Sequence, residues 1–167
     1  RGKTNSFFSK INKVRAFVEN EIDYRTGQTV SFHEEVTEKD TPRESFYTFD
    51  REKGKVRVKT KYAGRNLDDS VAASRQVHDF LSALYYVRNL PLLKGQGLCF
   101  EVSYFRHIWK VTGTVIGKER IQTPAGFFNT IVLDGTALRM DDRSRTRHVT
   151  VWLTDDQWRI PVKASSN

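Results

Sequence analysis

"GLCFEVSYF", residues 97–105, decides the fold class. Leu98, Phe100, Val102 and Tyr104 recur at every second position, and a period of two is that of a strand with one apolar face. Wound into a helix, the same four residues would fall on opposite sides of the axis and leave no single apolar stripe.

The period returns on both sides of this stretch. "TVSFHEEV" (29–36) sets Val30, Phe32 and Val36 against Thr29, Ser31, His33 and Glu35, and "KVRVKT" (55–60) carries Val56 and Val58. "WKVTGTV" (109–115) aligns Trp109, Val111 and Val115. "RHVTVWLT" (147–154) aligns Val149, Val151 and Leu153, with Trp152 on the other side. Turn-forming groups separate these runs, "YRTGQT", "EKDTPRE", "QTPAGFF" and "RMDDRSR" among them, so the pattern predicts an antiparallel meander. "YAGRNLDDSVAAS" (62–74) reads as a mobile loop.

One segment departs from the period. In "SRQVHDFLSALYYVRNLP", Val77, Phe80, Leu81 and Leu84 stand at i, i+3, i+4 and i+7, which predicts a helix over 75–89 that starts at Ser74, stops before Pro91 and buries those four residues. An isolated helix of that length is marginal in water, so it must pack on a sheet. The expected fold is mainly β: a strongly curved antiparallel sheet or partly closed β-barrel with one packed α-helix, in a single domain over residues 1–167.

No apolar run reaches the roughly 20 residues of a membrane-spanning helix. The chain opens on "RGKTNSFF" rather than methionine, and any targeting segment is expected upstream. Cys99 is the only cysteine, which excludes an internal disulfide and zinc sites built on paired cysteines. Its apolar neighbours suggest a small, partly buried hydrophobe. A net charge of +8 favours acidic partners. The charge is dispersed, with no run of five like charges and no nucleic-acid-reading motif, so no specific nucleic-acid binding is expected.

Three ordered blocks carry a resemblance. "VHDFLSALYYVRNLPLLKG" (77–95), "ERIQTPAGFFNTIVL" (119–133) and "VWLTDDQWRIPV" (151–162) closely resemble the bacterial family known as domain of unknown function 3108. The signature residues are Asp79, Ser82, Tyr85, Tyr86 and Arg88 on the helix phrase, the "TPAG" turn, and Asp155, Asp156 and Arg159 in the last block. The resemblance implies secretion into the periplasm or cell envelope of a Gram-negative bacterium, and further strands ahead of Arg1. It implies no reaction.

Asp155 and Asp156 are the most conspicuous carboxylates. Adjacent side chains on a strand diverge, so they do not converge as an acid and base pair, and "TDDQ" between two alternating runs reads as the turn of a hairpin. Their expected cation is Arg88 or Arg159, and Asp79 with Arg88 is expected to tie the helix to the sheet. His33, His78, His107 and His148 lie in separate elements without H-x-H, H-x-x-H or H-E-x-x-H spacing, so no metal centre is expected. No nucleophile elbow or phosphate loop is present and no cofactor is implied.

Aromatic residues are in surplus, and the adjacent pairs Phe7 with Phe8, Tyr104 with Phe105, and Phe127 with Phe128 cannot each face one core if they lie on strands. This points to an exposed apolar groove lined by Tyr85, Tyr104, Phe105, Trp109, Phe127 and Phe128. The expected function is a non-enzymatic cell-envelope protein that binds an apolar or amphipathic component, such as a lipid or acidic glycan, or a protein partner. The alternative is a glycan- or peptide-acting hydrolase using Asp155 or Asp156 with a distant Asp79 or Glu119. A nucleic-acid binder would require the arginines of 139–147 to share a face with Lys110, Lys118 or Arg120.

Overall fold

The computed structural model describes residues 2–3 and 14–167, with side chains from Arg15 onward, so Phe7 and Phe8 lie outside the described residues. Two compact units divide the chain, residues 1–82 and 83–167.

The first unit holds β1 (Gly2–Lys3), β2 (Val14–Asp23), β3 (Gln28–Glu38), β4 (Thr41–Asp50), β5 (Lys55–Tyr62), β6 (Arg65–Ala72) and β7 (Val77–His78). Strands β1 to β6 form an antiparallel sheet in chain order. One face buries Phe32, Tyr47, Phe49, Val56 and Val58. On the same face the Tyr47 hydroxyl donates to Glu34 at 2.8 Å and Arg43 stands 3.2 Å from that carboxylate, so the buried charge is paired. Residues 62–74 are a hairpin rather than a loop. Leu67, Asp69 and Val71 alternate inward along β6, and Ala63 and Gly64 have φ of 48° and 74°, as a two-residue hairpin turn requires.

Period-two counting holds for Phe32 and fails for Val30, which is 44% exposed. Glu21 pairs with Ser31 and Ile22 with Thr29, leaving Val30 as the extra residue of a β-bulge. The bulge turns Val30 to solvent and Thr29 into the interior.

Thr29 there meets the start of the helix. Helix α1 spans Phe80–Arg88, shorter than the predicted 75–89, because Asp79 and not Ser74 is its N-cap. Asp79 Oδ1 accepts the amides of Leu81 at 2.7 Å and Ser82 at 3.2 Å, while Ser82 Oγ accepts the Asp79 amide at 3.0 Å. This is a reciprocal cap of the kind that satisfies orphan helix donors. Asp79 Oδ2 accepts the Thr29 hydroxyl at 2.6 Å and the Asn20 amide at 3.3 Å. Val77 is buried in β7 instead of on the helix, Phe80 is 59% exposed, and Leu81 and Leu84 are half-buried. Apolar spacing alone does not distinguish a helix from a short strand followed by one.

In the second unit β8 (Gly97–Tyr104), β9 (His107–Thr123), β10 (Gly126–Arg139), β11 (Thr146–Thr154) and β12 (Pro161–Ser166) form an antiparallel meander curled into a half-barrel. Gly113 faces Gly135 across β9 and β10. A Cβ on Gly135 would lie 2.4 Å from the Thr112 carbonyl oxygen, so the two backbones approach here closer than any side chain permits. The core gathers Val87, Leu92, Val115, Ile131, Leu133 and Leu153, with Leu84, Leu98 and Phe100 packed against it. Cys99 is exposed, contrary to the reading of a partly buried hydrophobe, because alternation in β8 gives the packed face to Leu98 and Phe100. The protein is thus mainly β and antiparallel, with one curled sheet and one short helix among the described residues, as the periodicity implied.

Candidate functional site

A cleft of about 460 Å³ opens where β8 turns into β9 and β10 turns into β11. Tyr104, Phe105, His107 and Trp109 form one wall, and Arg139, Ser144, Arg145, Thr146 and Arg147 the other.

The aromatic wall rests on a tight turn. Phe105 and Arg106 connect β8 to β9 with φ of 44° and 63°, the left-handed pair that a two-residue hairpin uses. Asn-Gly adopts that pair cheaply, whereas side chains such as these cost roughly 1–2 kcal/mol each. The turn thereby holds the Phe105 ring at the mouth of the cleft, 41% exposed, beside Tyr104 at the end of β8.

The opposite wall is organised by two carboxylates. Asp142 accepts the Ser144 hydroxyl at 2.6 Å and amide at 3.1 Å, and that hydroxyl bond above all holds the carboxyl below its usual range. Arg139 reaches Asp141 at 3.0 Å and Asp142 at 3.1 Å, His107 Nδ1 lies 2.9 Å from Asp141, and Arg145 stands 3.6 Å from Asp142. Asp141 and Asp142 are therefore engaged with Arg139, His107 and Arg145. Arg147, exposed on β11, has no hydrogen-bond or ion-pair partner among the described residues. The indole nitrogen of Trp109 is buried and has no acceptor among them. A buried donor left unpaired costs about 1–3 kcal/mol. The arrangement suits a ligand with an apolar body and acceptor oxygens.

Of the aromatics singled out in sequence, Tyr104, Phe105 and Trp109 share this cleft. Tyr85, Phe127 and Phe128 lie elsewhere. Tyr85 sits on α1 with the Arg88 guanidinium 5.0 Å from its ring, and Phe127 on β10 is 61% exposed with Arg120 at 5.1 Å. Phe128 is half-buried next to it. Strand alternation separates Phe127 from Phe128, but Phe105 occupies a turn, so alternation does not govern its relation to Tyr104. The helix contributes no lining residue. Spacing in the sequence does not link His107 and the arginines of the second wall to these rings. The available signal was that "RMDDRSR" joins two strands whose ends carry Arg139 and Arg147. Lys110, Lys118 and Arg120 do not line the cleft.

Asp155 and Asp156 occupy the connection between β11 and β12. Asp155 pairs with Lys118 at 2.8 Å. Asp156 Oδ1 accepts the Thr154 hydroxyl at 2.8 Å and the amides of Trp158 at 2.8 Å and Arg159 at 3.0 Å. The Thr154 bond leads the causes that hold the Asp156 carboxyl below its usual range. The cation is thus Lys118 and not Arg88 or Arg159. Arg159, in a left-handed backbone conformation, donates instead to the carbonyls of Arg88 and Leu90 past the end of α1, and Arg88 donates to the Trp158 carbonyl at 3.0 Å. These bonds satisfy carbonyls that the helix end leaves open. Asp79 is fully buried in the cap of the first unit, and Glu119 accepts the Trp152 indole N–H.

No curated protein and no solved structure matches the chain. The sequence does match the family of proteins of unknown function DUF3108 over residues 1–167, its whole length. The chain therefore belongs to the DUF3108 family.

Proposed function

We propose that the protein is a non-enzymatic binding protein of the bacterial cell envelope that takes an amphipathic component with an acidic head into the cleft between the β8–β9 and β10–β11 turns. The observation that carries this reading is the exposed Arg147, without a partner among the described residues, in one cleft with the exposed rings of Tyr104 and Phe105. Rings supply apolar contact area, and a guanidinium selects carboxylate or phosphate oxygens. The periplasmic address is part of the proposal and rests on the family resemblance; fractionation of native cells tests it.

Lysophosphatidylglycerol and the uncharged detergent dodecyl maltoside, titrated below their micellar concentrations and followed by tryptophan fluorescence, test the binding. The acidic amphiphile is expected to saturate the protein and the uncharged one to bind more weakly. Arg147→Ala is expected to weaken the acidic amphiphile about tenfold, the loss of roughly one charge-assisted hydrogen bond. Equal affinity for both probes, or no effect of the substitution, overturns the reading.

A further inference from the structure

We propose that His33, Glu35 and Glu44, on the outer face of the first sheet, form a binding site for a divalent transition metal of the zinc class. His33 and Glu35 stand two apart on β3, so both side chains leave the same face, and the register pairs Glu35 with Glu44 across the β3–β4 hairpin. One ligand atom from each lies within 4.8 Å of the other two. His33 Nε2 is 3.3 Å from Glu44 and 3.8 Å from Glu35. Two donors on a tetrahedral zinc with bonds of about 2.0–2.1 Å are separated by about 3.3 Å. The three groups therefore already stand near the spacing that the ion would impose.

Two further observations separate this group from a chance gathering of acids. The imidazole is clamped: its ring stacks on Phe46 at 4.2 Å with 4° between the planes, and the edge of Phe17 closes the other approach at 6.2 Å. A ligand ring held in one plane loses little freedom on coordination, the role that outer-shell partners of metal-bound histidines play. The two glutamates are also directly opposed, an arrangement that is destabilising between like charges and that a bound cation would relieve. Glu19 pairs with His33 from β2, adding negative charge to the same row, while Lys61 pairs with Glu44 from β5. Imidazole nitrogen with carboxylate oxygen favours zinc-class ions over calcium or magnesium. His33 is more buried than either carboxylate, with side-chain exposures of 21%, 57% and 40% for His33, Glu35 and Glu44, so a fourth coordination position opens to solvent.

Histidine spacing in the sequence predicted no metal centre, because the third ligand comes from across a hairpin. A protonated imidazole between two carboxylates would give the same distances without a metal. Titration calorimetry with Zn²⁺ alone separates the two cases, using the whole chain, His33→Asn, Glu44→Gln, and a His107→Asn/His148→Asn double variant. The expected result is one site, weakened about tenfold or more by either substitution in the trio and unchanged in the double variant. Co²⁺ in the same site is expected to show the visible absorption of a low-coordinate ion, lost in His33→Asn. Zinc binding that survives both trio substitutions, or no saturable binding at all, overturns the proposal. Thermal unfolding of each apo variant shows whether it is folded, and Glu35→Gln serves as the alternative should Glu44→Gln fail to fold.

Discussion

Asp79 ties the start of α1 to β2 and β3. Its two oxygens accept the opening amides of α1 and the Thr29 hydroxyl, the bonds from Thr29 and Ser82 being buried, so removing the carboxylate forfeits a cap and strands buried donors. Asp79→Ala is expected to cost about 2–4 kcal/mol in chemical denaturation, and Asp79→Asn, which retains one acceptor oxygen, distinctly less. Beside it, burial pulls the His78 pKa below 6.5, with the Arg51 charge assisting and Asp79 opposing. The unfolded chain therefore takes up this proton first. The stability His78 contributes is complete above pH 6.5 and is lost as pH falls through that value toward the folded pKa. Urea midpoints measured between pH 7.5 and pH 5.5 are expected to fall in the native chain and to fall less in His78→Gln. Asp134 and Asp156, both lowered from 3.8 by hydroxyl bonds from Thr150 and Thr154, lose their contribution in a separate, more acidic range.

At the scale of elements, the close approach of β9 and β10 depends on a place where side chains are missing. Gly135→Ala would drive a methyl into the Thr112 carbonyl, whereas a Cβ on Gly97 meets nothing within 4 Å. The first substitution is expected to lower the melting temperature by several degrees, with a loss of about 1–3 kcal/mol, and the second to leave it within about 0.5 kcal/mol. Strands were legible in the sequence wherever a single period ran unbroken, as from Leu98 to Val102 and over Val56 and Val58. They were misjudged where a local device reset the count. The bulge at Val30, the cap at Asp79 that cuts the helix short, and the left-handed pair at Ala63 and Gly64 that turns a presumed loop into a hairpin are such devices. The cleft joins residues of two kinds of origin. Tyr104, Phe105 and Trp109 stand close together in the sequence around one tight turn, while the arginines facing them arrive from the β10–β11 turn, and no period links the two.

For the whole molecule, a net charge of +8 is balanced locally more than its total suggests. Arg57 is bidentate to Asp68, and Arg139 and Arg145 face Asp141 and Asp142. Titration with short DNA and RNA duplexes of varied sequence at physiological salt is therefore expected to give weak binding that fades with added salt and does not discriminate among sequences.

The extra residue at Val30 also bears on how this chain tolerates changes of length. A bulge is an insertion that the ladder has already absorbed, so excising Val30 would leave the pairings of Thr29 and Ser31 each in frame with β2. Excising one residue between Phe32 and Val36 would throw every later side chain of β3 to the wrong side of the sheet. In a deletion scan, Val30 should stand out as a dispensable position within an otherwise indispensable strand.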